Sequence, residues 1–197
     1  MLKRLFDVVL SIISLIVLSP ILLIISILIK LDSKGPILFI QGRVGKNNKD
    51  FNIYKFRTMK VESNKKGLLT LGNNDSRVTK IGYFLRRYKI DEFPQLINVI
   101  KGDMSFVGPR PELRYYVNFY NEEDMKIFKV RPGITGLASL KYRNEVELLK
   151  AAKNPEAFFI KTIIPDKLKY NKEYIKKRNF FFDLKLIGLT IIKVITK

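Results

Sequence analysis

The sequence predicts an α+β fold that is predominantly helical, with an N-terminal re-entrant membrane helix hairpin ahead of a small mixed domain. Three observations support this prediction. Residues 8–29 contain no charged side chain, and residues 37–40 and 51–56 have the short apolar composition of strands. Helical periodicity occurs at residues 78–88 and from Glu145 onward, where mixed apolar and basic residues suit interfacial amphipathic helices or ordinary packing on the core.

The uncharged run 8–29 is long enough for a membrane helix. Its roughly 22 residues would extend about 33 Å as a helix, which covers the hydrocarbon core of a bilayer. Pro20 lies near its middle, where proline removes a backbone hydrogen bond and bends a helix, and the Ser19 hydroxyl can bond the freed backbone groups. Ser19 and Pro20 are therefore the predicted break in the membrane helix.

Basic residues flank this run on both sides. Lys3 and Arg4 precede it, and Lys30 and Lys34 follow it. Because positive flanks favour the cytoplasmic side, a hairpin that enters and leaves by the same membrane face satisfies both flanks. A kinked helix that spans the membrane, with one basic flank on the unfavoured side, is the alternative.

These patterns divide the chain into three regions. Residues 1–34 are assigned to the re-entrant helix, 35–178 to a cytosolic domain, and 179–197 to a C-terminal amphipathic helix packed on the domain or on the membrane surface. Within the middle region, residues 42–50 are predicted as a turn between the two strands. A second short helix is predicted at residues 94–100, and Gly102 ends it.

The composition limits the chemistry that the chain can perform. It has 197 residues and a formal net charge of +19, so it should be attracted to nucleic acid, an anionic lipid surface or phosphate-bearing substrates. It contains no cysteine and no histidine, which excludes disulfides, thiol nucleophiles, imidazole acid-base chemistry and the usual zinc ligands. Any catalysis must therefore use carboxylates, lysine, arginine, tyrosine or hydroxyl groups.

Asp91 and Glu92 are the candidate catalytic residues. They precede Pro94, and because proline is tolerated only in the first turn of a helix, the two acids should lie at a helix N-terminus, which stabilises negative charge. An ordinary acidic helix cap would also explain such a pair. The setting favours phosphate chemistry, because basic residues surround the pair in the sequence: Arg77, Lys80, Arg86, Arg87, Lys89 and Arg110.

Neighbouring carboxylates suit attack on a phosphate better than a glycosidase reaction. A glycosidase needs two carboxyl groups about 5 to 9 Å apart across a sugar, whereas adjacent helical residues point in different directions. One carboxylate acting as a nucleophile would form an acyl-phosphate, while the other helps to bind metal or moves a proton. Arginine side chains and a divalent ion such as magnesium would neutralise the diphosphate under attack.

Three arginines stand at rigid points of the chain. Arg110 lies between two prolines, which lowers the entropy lost when its guanidinium binds a phosphate. Arg57 follows a predicted strand, and Arg131 precedes a Pro-Gly turn. Each could equally be an ordinary surface or turn residue, so the pattern alone leaves a role in substrate binding open.

Several segments form an ordered set of motifs. They cover residues 3–7, the Ser19-Pro20 step in the apolar run, and residues 43–46, 54–59, 91–96, 98–111 and 130–136. In their order and spacing these motifs resemble the bacterial sugar transferase family, the monotopic polyprenyl-phosphate phosphoglycosyl transferases, in its minimal catalytic form. The resemblance covers nearly the whole chain.

The resemblance implies a reaction and residue roles. Asp91 would be the nucleophile that takes the phosphosugar from a UDP-sugar and releases UMP, and Glu92 would complete the catalytic dyad. Magnesium would be the cofactor, with Asp91 as its ligand. Undecaprenyl phosphate would then attack the phosphosugar enzyme and leave as undecaprenyl diphosphosugar, in the first membrane step of surface glycan biosynthesis. The substrate-binding candidates are Arg57 and Arg110, which match family positions, and Arg77, Arg86 and Arg131.

The resemblance also implies a location. The protein would lie in the bacterial inner membrane, with residues 35–178 as the phosphoglycosyl transferase domain facing the cytoplasm and Ser19 and Pro20 as the family's helix break. Membrane lipid is then a partner and nucleic acid is not, while homo-oligomer formation is compatible with the sequence. The sugar stays open, because residues 137–144 depart from a common tryptophan-containing segment and Asn171 stands where aspartate is frequent.

Two other classes of function are alternatives. A membrane-tethered nucleic-acid binder would use the net charge and the aromatic residues interleaved with lysines in the C-terminal third, although no nucleic-acid motif is present. A catalytically inactive scaffold for glycan assembly would have no need of the intact pair of Asp91 and Glu92.

Overall fold

The computed structural model describes residues 2–61 and 75–196. Within this part of the chain the coarse fold prediction is confirmed, because the structure is mostly helical, with one antiparallel and one parallel pair of strands and one long apolar N-terminal helix. The predicted boundaries of the three regions stay predictions.

The N-terminal helix α1 covers Leu2–Asp32, a length of 31 residues. Helical structure continues through Pro20, and the Ser19 hydroxyl donates a hydrogen bond of 2.8 Å to the carbonyl oxygen of Ile16. Serine bonded one turn back is one of the ways in which a helix accommodates a proline. The structure therefore does not divide α1 into two helices at the predicted break, and the re-entrant hairpin stays a prediction.

The middle of α1 is apolar and largely exposed. Among the described helices, α1 is the one that is long and apolar enough to cross a membrane, and 11% of its most apolar 18-residue stretch is buried. Exposed aliphatic surface of this extent marks a contact with lipid or with another protein. Its large exposed side chains include Ile12, Ile13, Ile16, Val17, Ile21, Leu23 and Ile24.

The first turns of α1 are attached to the rest of the molecule by polar contacts. Arg4 donates hydrogen bonds to the carbonyl oxygens of Val99, at 2.6 Å, and Ile100, at 2.9 Å. The carboxylate of Asp7 is buried and accepts a hydrogen bond of 2.7 Å from the hydroxyl of Ser105.

The last turns of α1 are attached to the same part of the molecule. Ile29 is 2% exposed and packs in a buried cluster with Phe56 and Leu85. Asp32 accepts a hydrogen bond of 3.1 Å from the backbone nitrogen of Ile81. Both ends of α1 therefore contact the domain, while most of its middle does not.

Two antiparallel strands follow α1. Strand β1 covers Leu38–Val44 and strand β2 covers Asp50–Phe56, with Leu38 opposite Phe56 in the register. They confirm the two predicted strands, and β1 extends further than predicted. Their connection contains a short 3-10 turn, Lys46–Asn48, inside the predicted turn.

Two short helices and a second pair of strands come next. Helix α2 covers Lys80–Arg87, and helix α3 covers Gln95–Lys101 and ends at Gly102, whose φ of +93° suits glycine. Both helices confirm the periodicity of the sequence. Strands β3 (Ser105–Val107) and β4 (Gly133–Thr135) pair in parallel. The sequence did not predict them, because three residues are too few to show the alternation of a strand.

The remaining regular elements of the described chain are helices. After α4 (Arg114–Val117) and α5 (Glu122–Met125) come α6 (Leu137–Lys141), α7 (Glu145–Ala151), α8 (Pro155–Phe158), a π-helical turn at Phe159–Ile163, α9 (Ile164–Lys177) and α10 (Phe180–Ile195).

Helix α10 confirms the C-terminal helix expected from the sequence. It packs Leu186, which is 1% exposed, against β3 and α9, whereas Phe181 on the same helix is 80% exposed. One face of α10 is thus in the core and another is uncovered. Its position at a membrane surface stays a prediction.

Candidate active site

The acid pair lies in a 3-10 turn, Ile90–Glu92, between α2 and α3. Lys89, the residue before this turn, has a left-handed backbone conformation with φ of +59°. Asp91 and Glu92 are each 8% exposed. The pair precedes α3, as expected from Pro94, but it occupies a turn of its own and not the first turn of the helix.

Both carboxylate oxygens of Glu92 are bonded to cationic side chains. Arg110 donates to both, with Nη1 at 3.1 Å from Oε2 and Nη2 bonded to Oε1, and Lys55 donates to Oε1 at 3.1 Å. Burial would raise the pKa of Glu92, but the positive charges of Arg110 and Lys55 outweigh burial and hold its pKa well below the ordinary value. Glu92 is therefore an ionised carboxylate whose two oxygens are occupied.

The neighbouring carboxylate of Asp91 has different surroundings. Its Oδ1 atom is buried and has no hydrogen-bond partner among the described residues. Burial, followed by the negative charge of Glu92, raises the pKa of Asp91 against the opposing attraction of Lys55, Lys89 and Arg86. Because nearly all buried polar atoms in proteins have a partner, this oxygen is expected to meet a ligand.

Two of the predicted arginines, Arg110 and Arg86, lie beside the acid pair, and a third, Arg77, lies next to Arg86. Arg110 binds Glu92 directly. Burial lowers the pKa of Arg86, and the charge of Asp91 opposes that shift. The positive charge of Arg77 also lowers the pKa of Arg86. The guanidinium of Arg77 pairs with the carboxylate of Asp75 at 2.6 Å.

The other two predicted arginines bind backbone carbonyl groups. The guanidinium of Arg57 donates to the carbonyl oxygens of Ser33, at 2.7 Å, and Ile29, at 3.2 Å, in the last turns of α1. Arg131 donates to the carbonyl oxygen of Gly102, at 2.7 Å, just after α3. Both side chains thus donate to backbone carbonyl groups at or just after the C-terminal end of a helix. These contacts do not place either residue on the acid pair, and their substrate-binding role stays a prediction.

A comparison with known protein families decides which family the chain belongs to. The family described as "Bacterial sugar transferase" matches residues 1–197. The chain belongs to the bacterial sugar transferase family. The resemblance that the sequence motifs indicated is therefore confirmed.

Curated members of the bacterial sugar transferase family are similar to the chain. It is 40% identical over 197 residues, 98% of the chain and 40% of the relative, to the UDP-glucose:undecaprenyl-phosphate glucose-1-phosphate transferase of Escherichia coli (strain K12). It is 46% identical over 141 residues, 70% of the chain and 33% of the relative, to the UDP-N-acetylgalactosamine-undecaprenyl-phosphate N-acetylgalactosaminephosphotransferase of Aeromonas hydrophila. The chain thus spans well under half the length of these two relatives.

A third member of the family is similar in length to the chain. It is the uncharacterized sugar transferase EpsL of Bacillus subtilis (strain 168), with 39% identity over 194 residues, which are 98% of the chain and 87% of the relative.

One residue of the site was not singled out as a candidate from the sequence. Lys55 in β2 is partly buried and binds Glu92, and its own pKa is lowered, mainly because burial disfavours its charge. A signal was present, since side chains two apart on a strand share a face and Lys55 follows Phe51 and Ile53 on the face that packs inward. A lysine in such a position needs a buried anion as a partner.

The site of this family member fits a magnesium ion shared with a substrate. Magnesium in phosphate-handling sites is usually held by one or two carboxylates, and substrate oxygens and waters complete its shell. The described residues contain no group of three acidic, histidine or cysteine side chains that could enclose a metal. Asp91 has a free buried oxygen for such an ion, whereas both oxygens of Glu92 are occupied. Asp91 is therefore the residue that would hold it.

Proposed function

We propose that the chain transfers a sugar 1-phosphate from a UDP-sugar to undecaprenyl phosphate, giving undecaprenyl diphosphosugar and UMP, through a covalent phosphosugar intermediate on Asp91. One observation carries the proposal. Of two adjacent buried carboxylates, Glu92 has both oxygens bonded to cations, whereas Asp91 has an oxygen without a partner among the described residues. Only Asp91 is free to act as the nucleophile.

In the first half-reaction an oxygen of Asp91 attacks the phosphorus that carries the sugar. The new oxygen–phosphorus bond forms while the bond from this phosphorus to the bridging oxygen breaks, and UMP leaves with the bridging oxygen. The product on the enzyme is an acyl-phosphate. Arg110 and Lys55, which Glu92 holds in place, supply fixed positive charge beside the reacting carboxylate.

In the second half-reaction an oxygen of undecaprenyl phosphate attacks the same phosphorus. The bond to Asp91 breaks, which regenerates the carboxylate and releases undecaprenyl diphosphosugar. A magnesium ion bound by Asp91 would neutralise the negative charge of the diphosphate. The low exposure of the acid pair limits the access of water that would otherwise hydrolyse the intermediate.

The same proposal includes a re-entrant arrangement of α1 in the bacterial inner membrane, with the domain on the cytoplasmic face. It is supported by the attachment of both helix ends to one domain, through Arg4 and Asp7 at the start and Ile29 and Asp32 at the end. Attachment of both ends to one domain favours an arrangement in which they lie on the same side of the membrane. The exposed apolar face of α10 would then lie in the interface, beside the acceptor lipid.

The identity of the sugar is left to experiment, because the relatives' names differ in it. One relative is named for glucose and another for N-acetylgalactosamine. We propose a UDP-hexose or a UDP-N-acetylhexosamine as the donor, since both kinds of relative align with the chain.

The test is the release of UMP from a panel of UDP-sugars by the purified protein with undecaprenyl phosphate and magnesium. We expect one or a few donors to react, and Asp91→Asn to lose the activity, because a neutral amide cannot form the acyl-phosphate. Asp50→Asn is the matched control, since the Asp50 side chain is 61% exposed and pairs with Arg114 at the surface. Failure of every UDP-sugar to react, or full activity of Asp91→Asn, would contradict the proposal.

A further inference from the structure

A second group of buried and partly buried charges lies near Arg110, outside the acid pair. Lys167, on α9, has a side chain that is 9% exposed. Its Nζ atom lies 3.0 Å from Oε1 of Glu112 and 3.1 Å from Oε2 of Glu145. Neither carboxylate belongs to the acid pair, and the reaction described above does not use Lys167.

Glu112 connects Lys167 to the loop that carries Arg110. Its second carboxylate oxygen lies 3.7 Å from Nη1 of Arg43 on β1, and the same Arg43 nitrogen donates a hydrogen bond of 3.2 Å to the carbonyl oxygen of Pro111. The backbone carbonyl of Glu112 accepts a hydrogen bond of 3.0 Å from the backbone nitrogen of Val44. The residues that follow Arg110 are therefore fixed on β1 through both side-chain and backbone bonds.

The loop is also fixed on its other side. Gly108 packs so closely on the backbone of Arg131 and Gly133 that a side chain at this position would collide with both. Arg110 lies between Pro109 and Pro111, whose rings restrict the backbone. With little freedom inside the loop, the position of its two ends determines where the Arg110 guanidinium lies.

The charges of this group support one another despite their burial. Burial opposes the charged form of Lys167, but Glu112 and Glu145 outweigh it and raise the pKa of Lys167. Burial likewise opposes the ionised form of Glu112, and Lys167 and Arg43 outweigh it and lower the pKa of Glu112. The group is a connected set in which removal of one member leaves another buried charge without its partner.

We infer that Lys167 is a positioning residue, which acts through Glu112 and Arg43 to hold the loop 108–111 so that Arg110 lies on the acid pair. The inference rests on the proposed function, because Arg110 matters there as the fixed positive charge beside Asp91. Helix α9 contributes no residue to the acid pair. Lys167 on this helix thereby influences the rate of the first half-reaction.

The experiment measures kcat and KM for UMP release, with kcat normalised to the folded fraction of each preparation. It compares the unaltered protein, Lys167→Met, Arg110→Gln and the double variant in one cycle. We expect Lys167→Met to lower kcat by about ten- to a hundredfold, as displacement of a reacting group by about 1 Å does. If Lys167 acts through Arg110, its loss should have little further effect once Arg110 is already replaced.

Lys177→Met is the matched control. Lys177 lies on the same helix, and its ammonium group pairs with Glu173 at the surface, with 63% of the lysine side chain exposed. We expect this variant to keep the kcat and KM of the unaltered protein. The same loss of kcat in Lys177→Met as in Lys167→Met would overturn the inference, because it would show that any change of charge on α9 slows the reaction.

Two further results would overturn the inference while leaving the proposed function intact. One is an unchanged kcat per folded molecule in Lys167→Met. The other is a decrease in kcat caused by Lys167→Met that has the same factor whether Arg110 is present or already replaced, because an equal factor indicates a general structural effect.

Should Lys167→Met not fold, Glu145→Gln takes its place in the cycle, since the Glu145 side chain is 25% exposed and its replacement perturbs Lys167 less. Absence of UMP release from the unaltered protein would overturn the proposed function and the inference together.

Discussion

The two carboxylates of the acid pair, Asp91 and Glu92, have different hydrogen-bond partners, and this difference gives them different chemical roles. Glu92 is ionised and held by Arg110 and Lys55, so it organises positive charge. Asp91 is buried beside it with an oxygen that has no partner in the described chain, so it is available to a phosphorus atom or a metal ion. The low local dielectric strengthens each of these charge interactions.

At the residue scale, Lys55 provides the first prediction. Replacement of Lys55 by methionine keeps most of the side-chain volume but removes one of the two cations on Glu92 and lowers the positive charge beside Asp91. We expect kcat/KM for the UDP-sugar to fall by about a hundredfold, the usual loss for one preorganised charge or donor in an active site. The measurement is the steady-state rate of UMP release.

Lys49→Met is the control for this prediction, since Lys49 is exposed in the turn that precedes the same strand. It should leave kcat/KM unchanged. A Lys55→Met protein with the kcat/KM of the unaltered protein would show that the ammonium group has no part in catalysis.

The acid pair and Arg110 could be predicted from the sequence, because proline, carboxylates and arginine occur there at short and recognisable spacings. The partners of Glu92 could not all be predicted in this way. Lys55 reaches Glu92 only through the packing of β2 against the turn that follows α2, a contact between residues that are 37 positions apart. Tertiary packing of this kind leaves no local pattern in the sequence.

At the element scale, the side chain of Arg57, which follows β2, binds the C-terminal end of α1. The Arg57 guanidinium donates to three carbonyl oxygens, those of Ile29, Ser33 and Lys34. These three groups lie at or just after the C-terminal end of α1, where a helix leaves several carbonyl groups without intrahelical partners. The family resemblance implies that Arg57 binds the substrate phosphates, which stays a prediction, and its contacts in the structure indicate a helix-capping role.

Arg57→Ala separates these two roles. If Arg57 caps α1, the free energy of unfolding should fall by about 2 kcal/mol or more, because buried carbonyl groups lose a charged donor, while KM for the UDP-sugar stays unchanged. Thermal unfolding in detergent and the KM of UMP release are the two measurements. Arg87→Ala, which changes an exposed arginine of α2, is the control and should alter neither.

The opposite result has an equally clear meaning. A raised KM in Arg57→Ala with unchanged thermal stability would show that Arg57 binds the substrate phosphates and that its contacts with α1 change when the substrate binds.

The longer helices and strands could be predicted from the sequence, and the shortest strands could not. Helix α1, the hairpin of β1 and β2, α2 and α3 all have enough residues to show periodicity or a clear end signal such as Gly102. Strands β3 and β4 have three residues each, and their pairing brings together segments about 28 positions apart in the chain. That pairing places the loop 108–111 beside Arg131, which no local pattern indicates.

At the scale of the whole molecule, α1 is attached to the domain at both ends. Lys3 pairs with Asp183 of α10 at 2.6 Å, and Arg4 binds the last carbonyl groups of α3. At the other end, Arg57 binds the last turns of α1. These attachments connect α1 with α3, which follows the acid pair directly, so if α1 enters the membrane as proposed, the depth of the acid pair should follow the depth of α1.

Single cysteines test the arrangement of α1, because the chain has no cysteine of its own. Leu2→Cys and Lys34→Cys place one thiol at each end of α1. A re-entrant helix predicts that a membrane-impermeant maleimide labels both in inverted inner-membrane vesicles and neither in intact spheroplasts. Lys169→Cys, at an exposed position of α9, is the control for the cytoplasmic side.

Labelling of the two positions from opposite sides would contradict the re-entrant arrangement and support a spanning helix. With Ser19→Ala and Pro20→Ala together, we expect α1 to straighten and one label to change sides, since proline is what bends such a helix. Unchanged labelling in that variant would show that the attachments at the helix ends, and not the Ser19-Pro20 step, determine the arrangement.

The intact mass of the protein after incubation with a reactive UDP-sugar, without undecaprenyl phosphate, shows whether a covalent intermediate forms. We expect a gain of one phosphosugar per chain, located on Asp91 by fragmentation, absent from Asp91→Asn and removed when undecaprenyl phosphate is added. A protein that releases UMP at its normal rate but never carries this adduct would contradict a covalent role for Asp91.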